Sequence, residues 1–165
     1  MTITTIYYSY SGVTRGVAEK VHAACGGKLV EVTPVAPYSH LSVFLSGARR
    51  AKKGSCDVIE PATIDVTGAD VIVLGTPVWA SHPPPPVNGA VQALAGCSGK
   101  TVVLFATCVG QPRGTLPLIA EALAAKEVRV TREFVFTKND VSDPARIGAL
   151  IEAVKSADGN TDGDA

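Results

Sequence analysis

The stretch Ile6-Tyr7-Tyr8-Ser9-Tyr10-Ser11-Gly12-Val13-Thr14-Arg15-Gly16-Val17-Ala18-Glu19-Lys20-Val21 decides how the chain reads. It opens as an apolar run of strand character and passes through a cluster of hydroxyls and glycine. It closes with Val17, Ala18 and Val21 at the spacing of a buried helical stripe. A strand feeding such a turn into a helix builds an anion site. The first amides of the helix lack internal acceptors, and the helix dipole favours negative charge there. Gly12 permits a sharp turn and a close approach of ligand to backbone. Ser9, Ser11 and Thr14 add side-chain donors, so the guest expected from the residues is a phosphate monoester. Ser and Thr are also good N-caps, and the same stretch reads equally as a plain helix start. It is neither a Walker loop, since no Gly-Lys-Ser/Thr follows, nor the dinucleotide glycine fingerprint, whose spacing it lacks.

Outward from this stretch, apolar runs alternate with helical patterns. The spacing predicts strands over Thr2–Ser9, Lys28–Val32, Val71–Gly75, Thr101–Ala106 and Val128–Thr137. It predicts helices over Thr14–Ala24, Ser42–Lys53, Val87–Leu94, Leu116–Ala125 and Asp143–Val154, the last capped by Asp143 or Ser142. The basic run Arg49-Arg50 and Lys52-Lys53 suits a helix C-terminus, with a docking patch as the alternative. Alternating strands and helices imply a doubly wound parallel sheet of five strands covered on both faces, in an α/β domain spanning residues 1–155. Residues 156–165, polar and rich in Asp and Gly, are expected to form a flexible tail.

Length and composition exclude several classes. At 165 residues with 46% hydrophobic residues, the chain can bury a substantial core. The formal net charge is zero. No basic stripe interleaved with aromatics is present, which argues against nucleic-acid binding. No apolar run approaches the ~18 residues that suggest a membrane-spanning helix. The N-terminus carries no charged leader or cleavage pattern, and no signal peptide is expected. Cys25, Cys56, Cys97 and Cys108 match neither a redox CxxC pair nor a zinc pattern, so reduced thiols, a cytoplasmic location and no metal are expected.

In a doubly wound sheet, ligands bind past the carboxyl ends of the strands at the switch point, here the loops after the first, third and fourth strands. The loop after the third strand is Gly75-Thr76-Pro77-Val78-Trp79-Ala80-Ser81-His82, followed by Pro83 to Pro86. Trp79, the only tryptophan, lies past a buried strand, where a partly exposed ring could stack on a planar ligand. Packing on the proline run is the alternative. The four prolines are expected to stiffen the loop as polyproline II. His82 reads as a surface or capping histidine, with titration beside a ligand as the sharper option. The loop after the fourth strand, Thr107-Cys108-Val109-Gly110-Gln111-Pro112-Arg113-Gly114, carries a hydroxyl, a thiol, an amide and a cation. Cys108 reads as a packing residue, or as a reactive thiol should a helix dipole or Arg113 lower its pKa.

Taken together, the three loops resemble the flavodoxin family. Ser9-Tyr10-Ser11-Gly12-Val13-Thr14 is similar to the FMN phosphate loop, usually Thr/Ser-x-Thr-Gly-Asn-Thr. Gly75 to Trp79 and Thr107 to Gly114 are similar to the two loops that flank the isoalloxazine ring. The resemblance runs from Thr2 to about Val154 and implies the flavodoxin-like strand order 2-1-3-4-5 with FMN as cofactor. By that resemblance Ser9, Tyr10, Ser11, Gly12, Val13 and Thr14 hold the phosphate, largely through backbone N–H. Thr76, Pro77, Val78 and Trp79, with Thr107, Cys108, Val109 and Gly110, flank the ring. The chain departs from the family pattern in four places. Val13 replaces Asn. Ala80-Ser81 stand where many members carry glycine, and positive φ is harder for them. The third loop has no aromatic, which leaves one ring face open. The chain is neutral, whereas carriers of this family are usually acidic.

The resemblance implies an electron carrier that works with a redox partner protein. An FMN enzyme of the NAD(P)H-dependent quinone-reductase type is the alternative. A scaffold without flavin is the third reading, with Ser11-Gly12, Thr14 and Trp79 arguing against it. Either a monomer or a dimer is compatible with the sequence.

Overall fold

The computed structural model describes residues 1–157. Five parallel strands form the main sheet: β1 (Ile3–Tyr7), β2 (Lys28–Glu31), β3 (Val71–Pro77), β4 (Thr101–Thr107) and β5 (Arg129–Phe136), in the order β2-β1-β3-β4-β5. This is the doubly wound order 2-1-3-4-5. The central strands are runs of β-branched and aliphatic residues. β4 is buried along its whole length and β3 up to Thr76, as a strand covered on both faces requires. β5, at an edge, exposes Arg129, Arg132 and Glu133, charges that discourage pairing with another chain.

The period-2 alternation of the strands separates two cores. Ile6, Ile72, Leu74, Val102 and Leu104 point to one face, where α2 (Pro85–Ala93) and α3 (Thr115–Ala124) contribute Val87, Val91, Leu116, Ile119 and Leu123. Ile3, Tyr7, Val71, Val73, Val103 and Phe105 point to the other. There α1 (Val13–Cys25) contributes Val17, Ala18 and Val21, and α4 (Pro144–Ser156) contributes Ile147, Leu150 and Val154. Each fully buried aliphatic side chain contributes roughly 1.5–3 kcal/mol relative to exposure, so the two layers, not the helix ends, dominate the stability of the fold.

Several elements depart from the sequence-based expectation. Pro85 and Pro86 do not belong to a stiff loop; they form the first turn of α2, where a missing N–H costs nothing. The helix expected over Ser42–Lys53 is three consecutive pieces, His40–Ser42, a π-helical turn Val43–Gly47, and Ala48–Lys52. Two short pairings were not legible: Thr33–Pro34 runs antiparallel to Ile59–Glu60, and Ile64–Asp65 runs parallel to Leu94–Ala95. The Asp143 side chain caps α4 by accepting the Ala145 amide at 2.9 Å. The expected tail begins too early, because Ser156 closes α4 and Ala157 is buried, its carbonyl accepting from Thr101 Oγ1 at 3.2 Å. The rest of that segment, 158–165, lies outside the described residues.

Candidate functional site

The carboxyl ends of β1, β3 and β4 carry three loops, and the structure brings them together. Thr14 Oγ1 and Thr107 Oγ1 share a hydrogen bond of 2.8 Å, joining the first loop to the last. The rings of Tyr10 and Trp79 meet at 6.1 Å between centroids, joining the first loop to the second. Gly114 approaches the second loop so closely that a Cβ there would lie 3.4 Å from the Ser81 carbonyl oxygen.

The first loop leaves the start of α1 uncapped and open. Gly12 occupies the N-cap of α1 at φ +90°, and no side chain caps this helix. The amides of Val13, Thr14 and Arg15 therefore have no intrahelical acceptor. No atom outside the adjacent chain lies within 4 Å of where a Gly12 Cβ would stand, so the space beside the turn is open. The first turn of α1 holds no acidic residue to compete with an incoming anion. Ser9 Oγ accepts the Gly12 amide at 3.1 Å, which fixes the turn and leaves the Ser9 hydroxyl proton free to donate. Ser11 and Val13 are exposed, whereas Thr14 is buried beneath the loop. Arg15 is drawn aside to Glu31 on β2.

The second loop differs from its expectation. Trp79 is not a partly exposed platform; it is buried at 7% exposure. Tyr8, Tyr10 and Tyr38 surround the indole at centroid distances of 5.9, 6.1 and 4.9 Å, all near right angles. The physical cause is the chain from Tyr38 to Gly47, which folds over this loop. Gly47 packs on the indole so closely that a Cβ would stand 2.9 Å from Trp79 Cζ3. His40 meets Tyr10 at 5.6 Å on the same side. Tyr38 is fixed in turn, donating to Asp57 at 2.8 Å and accepting from Arg50 at 2.7 Å. Burial first, and the Asp57 carboxylate second, push its phenol up to about 12. Burial likewise raises the Tyr8 phenol.

Ala80 and Ser81 adopt positive φ, at 50° and 67°, against the sequence expectation. Trp79 and His82 exchange two backbone hydrogen bonds of 3.1 and 3.0 Å, which close a two-residue turn. Such a turn needs positive φ at both central positions, and this pair stays despite a cost of roughly 1–2 kcal/mol per residue. His82 Nδ1 lies 2.7 Å from the Ala80 carbonyl, a further tie on the turn. Thr76 is buried with its hydroxyl donating to the Pro77 carbonyl at 2.7 Å, and Pro77 and Val78 are half-buried.

In the third loop, Thr107 is buried, Val109 is fully exposed and Gly110 is exposed. Cys108 is half-buried and donates to the Gly110 carbonyl at 3.1 Å. Burial pushes its thiol up, opposite to the shift a reactive thiolate needs. Arg113 sits in a turn at φ +42°, exposed, with no ion pair among the described residues. Beside the second loop, the 40–47 turn exposes Leu41 and Leu45, not singled out from sequence, and Phe44, which the helical spacing over Ser42–Lys53 includes. Their i, i+3, i+4 spacing was visible, but it reads equally as a buried stripe.

A parallel sheet in this order, with an uncapped helix behind its first loop, defines a flavodoxin-like α/β protein. The flavodoxin sequence profile matches residues 2–116, and the chain belongs to that family. No curated protein sequence matches it. Among solved structures it is similar to a Bacteroides eggerthii protein provisionally assigned as a flavoprotein, at 24% identity over 93% of this chain and 98% of that one, TM-score 0.75. It is also similar to a Lactobacillus acidophilus flavoprotein solved in complex with FMN, at 22% identity over 81% and 92% of the two chains, TM-score 0.65. A third likeness is to two-electron reduced flavodoxin of Megasphaera elsdenii, at 18% identity over 93% and 98%, TM-score 0.61. At these identities the likenesses establish the fold.

Proposed function

We propose that the chain binds FMN at the three loops and serves as an electron carrier. The observation that carries this reading is the open, uncapped N-terminus of α1 behind Gly12. The amides of Val13 and Thr14, the Ser9 and Ser11 hydroxyls and the backbone of Tyr10 hold the phosphate, with Gly12 shaping the turn that presents them. Hydrogen bonds to a charged group contribute roughly 1.5–3 kcal/mol each, against at most about 2 kcal/mol from the helix dipole. The amides and hydroxyls therefore outweigh the dipole. Thr76, Pro77 and Val78, with Thr107, Cys108, Val109 and Gly110, border the ring. Trp79 supports the second loop from beneath, packed among the tyrosines. Bound FMN supplies the redox chemistry, and the protein orients it and sets its electrostatics.

The carrier reading draws support from the surface next to the ring loops. Leu41, Phe44 and Leu45 are exposed on a turn that touches both Tyr10 and Trp79 through its neighbours His40 and Gly47. Residues 32–56 contain no acid and include Arg49 close by. An apolar patch with positive surroundings suits a redox protein with an acidic rim. Among the described residues no helix is long and apolar enough to cross a membrane. The test is anaerobic mixing of the FMN-loaded protein with NADH or NADPH and no partner. Flavin absorbance that persists for minutes is the expected result; bleaching within seconds makes the protein a reductase instead.

A further inference from the structure

Between the end of the 48–52 helix, α2 and α3 lies a cleft of about 720 Å³, which borders the far end of the second loop through His82 and Pro83. Its size is that of a small-molecule site. Among the described residues, three lysines line it, Lys52, Lys53 and Lys126, and no carboxylate does. Lys52 and Lys53 are the end of the basic run, which the flavin site leaves unused. Lys126 is held in place: its ammonium donates to the Gln92 and Leu94 carbonyls, each at 2.9 Å, which leaves one N–H free for a ligand. The lining also has apolar members, Val91, Leu118 and Ala122, of which Leu118 is 41% exposed. The walls are tied together, since Asn88 Nδ2 donates to the Ser55 carbonyl at 2.9 Å and the Asp57 amide to the Pro85 carbonyl at 3.0 Å.

A fixed ammonium, two free ones and an apolar wall in one cleft recognise opposite ends of one kind of molecule. We propose that this cleft binds an organic acid, an anionic group on an apolar body about the size of a naphthalene. The lysines take the anion as point charges, and Leu118, Val91 and Ala122 cover the body. The site is separate from the flavin reading and stands or falls without it.

The probe is 8-anilinonaphthalene-1-sulfonate, titrated by fluorescence into the whole chain. One saturable site per chain is expected. The uncharged N-phenyl-1-naphthylamine, with the same apolar body, should bind at least tenfold more weakly. Lys52→Gln with Lys53→Gln should weaken the sulfonate at least fivefold, more at low salt than at high. Ala122→Trp, an exposed helix position that fills the cleft, should abolish binding while the circular dichroism melt stays cooperative. Phe44→Ser, on the patch beside the ring loops, should change the affinity less than twofold, and excess FMN should not displace the probe. Equal binding of the uncharged analogue, loss of binding in Phe44→Ser, or displacement by FMN would overturn the proposal. So would unaltered binding in the folded Ala122→Trp protein.

Discussion

The first loop and the second loop sit side by side at the end of the same sheet, yet they are built in opposite ways. The first is local. Ser9, Gly12 and the first turn of α1 are neighbours in sequence, and one hydrogen bond of 3.1 Å between them sets the shape. The second is held from a distance. Trp79 takes its position from Tyr8, Tyr10 and Tyr38, and from Gly47, and its turn adopts a conformation that Ala80 and Ser81 would not choose alone. A loop built from neighbours can be read along the chain. A loop built by residues 32 to 71 positions away is decided by packing, and its residues look ordinary in sequence.

The largest expected effect breaks the local loop. Gly12→Val places a β-branched residue at φ +90° and a side chain in the open space before the amides. Strain and lost charge-assisted hydrogen bonds together cost about 2–4 kcal/mol, or roughly 30- to 1,000-fold in FMN affinity. Riboflavin, lacking the phosphate, should lose less than threefold in parallel titrations. Next in size is a lesion in the distant support. Gly47→Val forces Trp79 to move, and overpacking of this kind costs about 1–3 kcal/mol. Chemical denaturation should register the loss, with indole emission shifted to the red, while the first loop keeps its preference for FMN over riboflavin.

The turn itself can be relieved. Ala80→Asn with Ser81→Gly matches the residues to the conformation and should stabilise the fold by roughly 1–2 kcal/mol. An unchanged denaturation midpoint would mean that the turn is not held in positive φ in solution. A smaller effect follows from Tyr38. The unfolded chain ionises this phenol near its ordinary value of 10, whereas the folded chain holds the proton up to about 12. Its contribution to stability is therefore complete below pH 10 and is lost as pH rises through 12. Tyr38 is partly exposed, so solvent screening limits that contribution to about 1 kcal/mol. The wild type should lose more stability than Tyr38→Phe between pH 9.5 and pH 11.5, measured by denaturant midpoints. The smallest effect is electrostatic. Arg113→Gln removes an exposed cation from the third loop and should lower the midpoint potential of bound flavin. The change corresponds to about 1 kcal/mol or less and should be larger at low salt.

The sheet was readable because its strands are continuous β-branched runs and its helices carry a 3.6-residue apolar stripe; both periods survive in one dimension. The sequence also pointed to Gly12 and the hydroxyls around it, since strand, turn and helix follow one another there. The burial of Trp79 was not readable. An indole past a buried strand looks exposed until Tyr38 and Gly47 are known to fold over it, and no local signal brings 38–47 back to that place. The π-helical turn at Val43–Gly47 was hidden for a related reason. Apolar spacing at Val43, Phe44 and Gly47 is the same for a helix and for a turn that bends toward an aromatic. Positive φ at Ala80 and Ser81 ran against residue preference, and only the paired hydrogen bonds between Trp79 and His82 reveal why it is kept.

The central claim is that the first loop recognises a phosphate attached to a flavin. Isothermal titration of the chain with FMN and with riboflavin, at one pH and low salt, tests it most directly. FMN should bind at least tenfold more tightly than riboflavin, and inorganic phosphate should compete with FMN alone. Equal affinities for the two flavins, or binding of neither, would contradict the account.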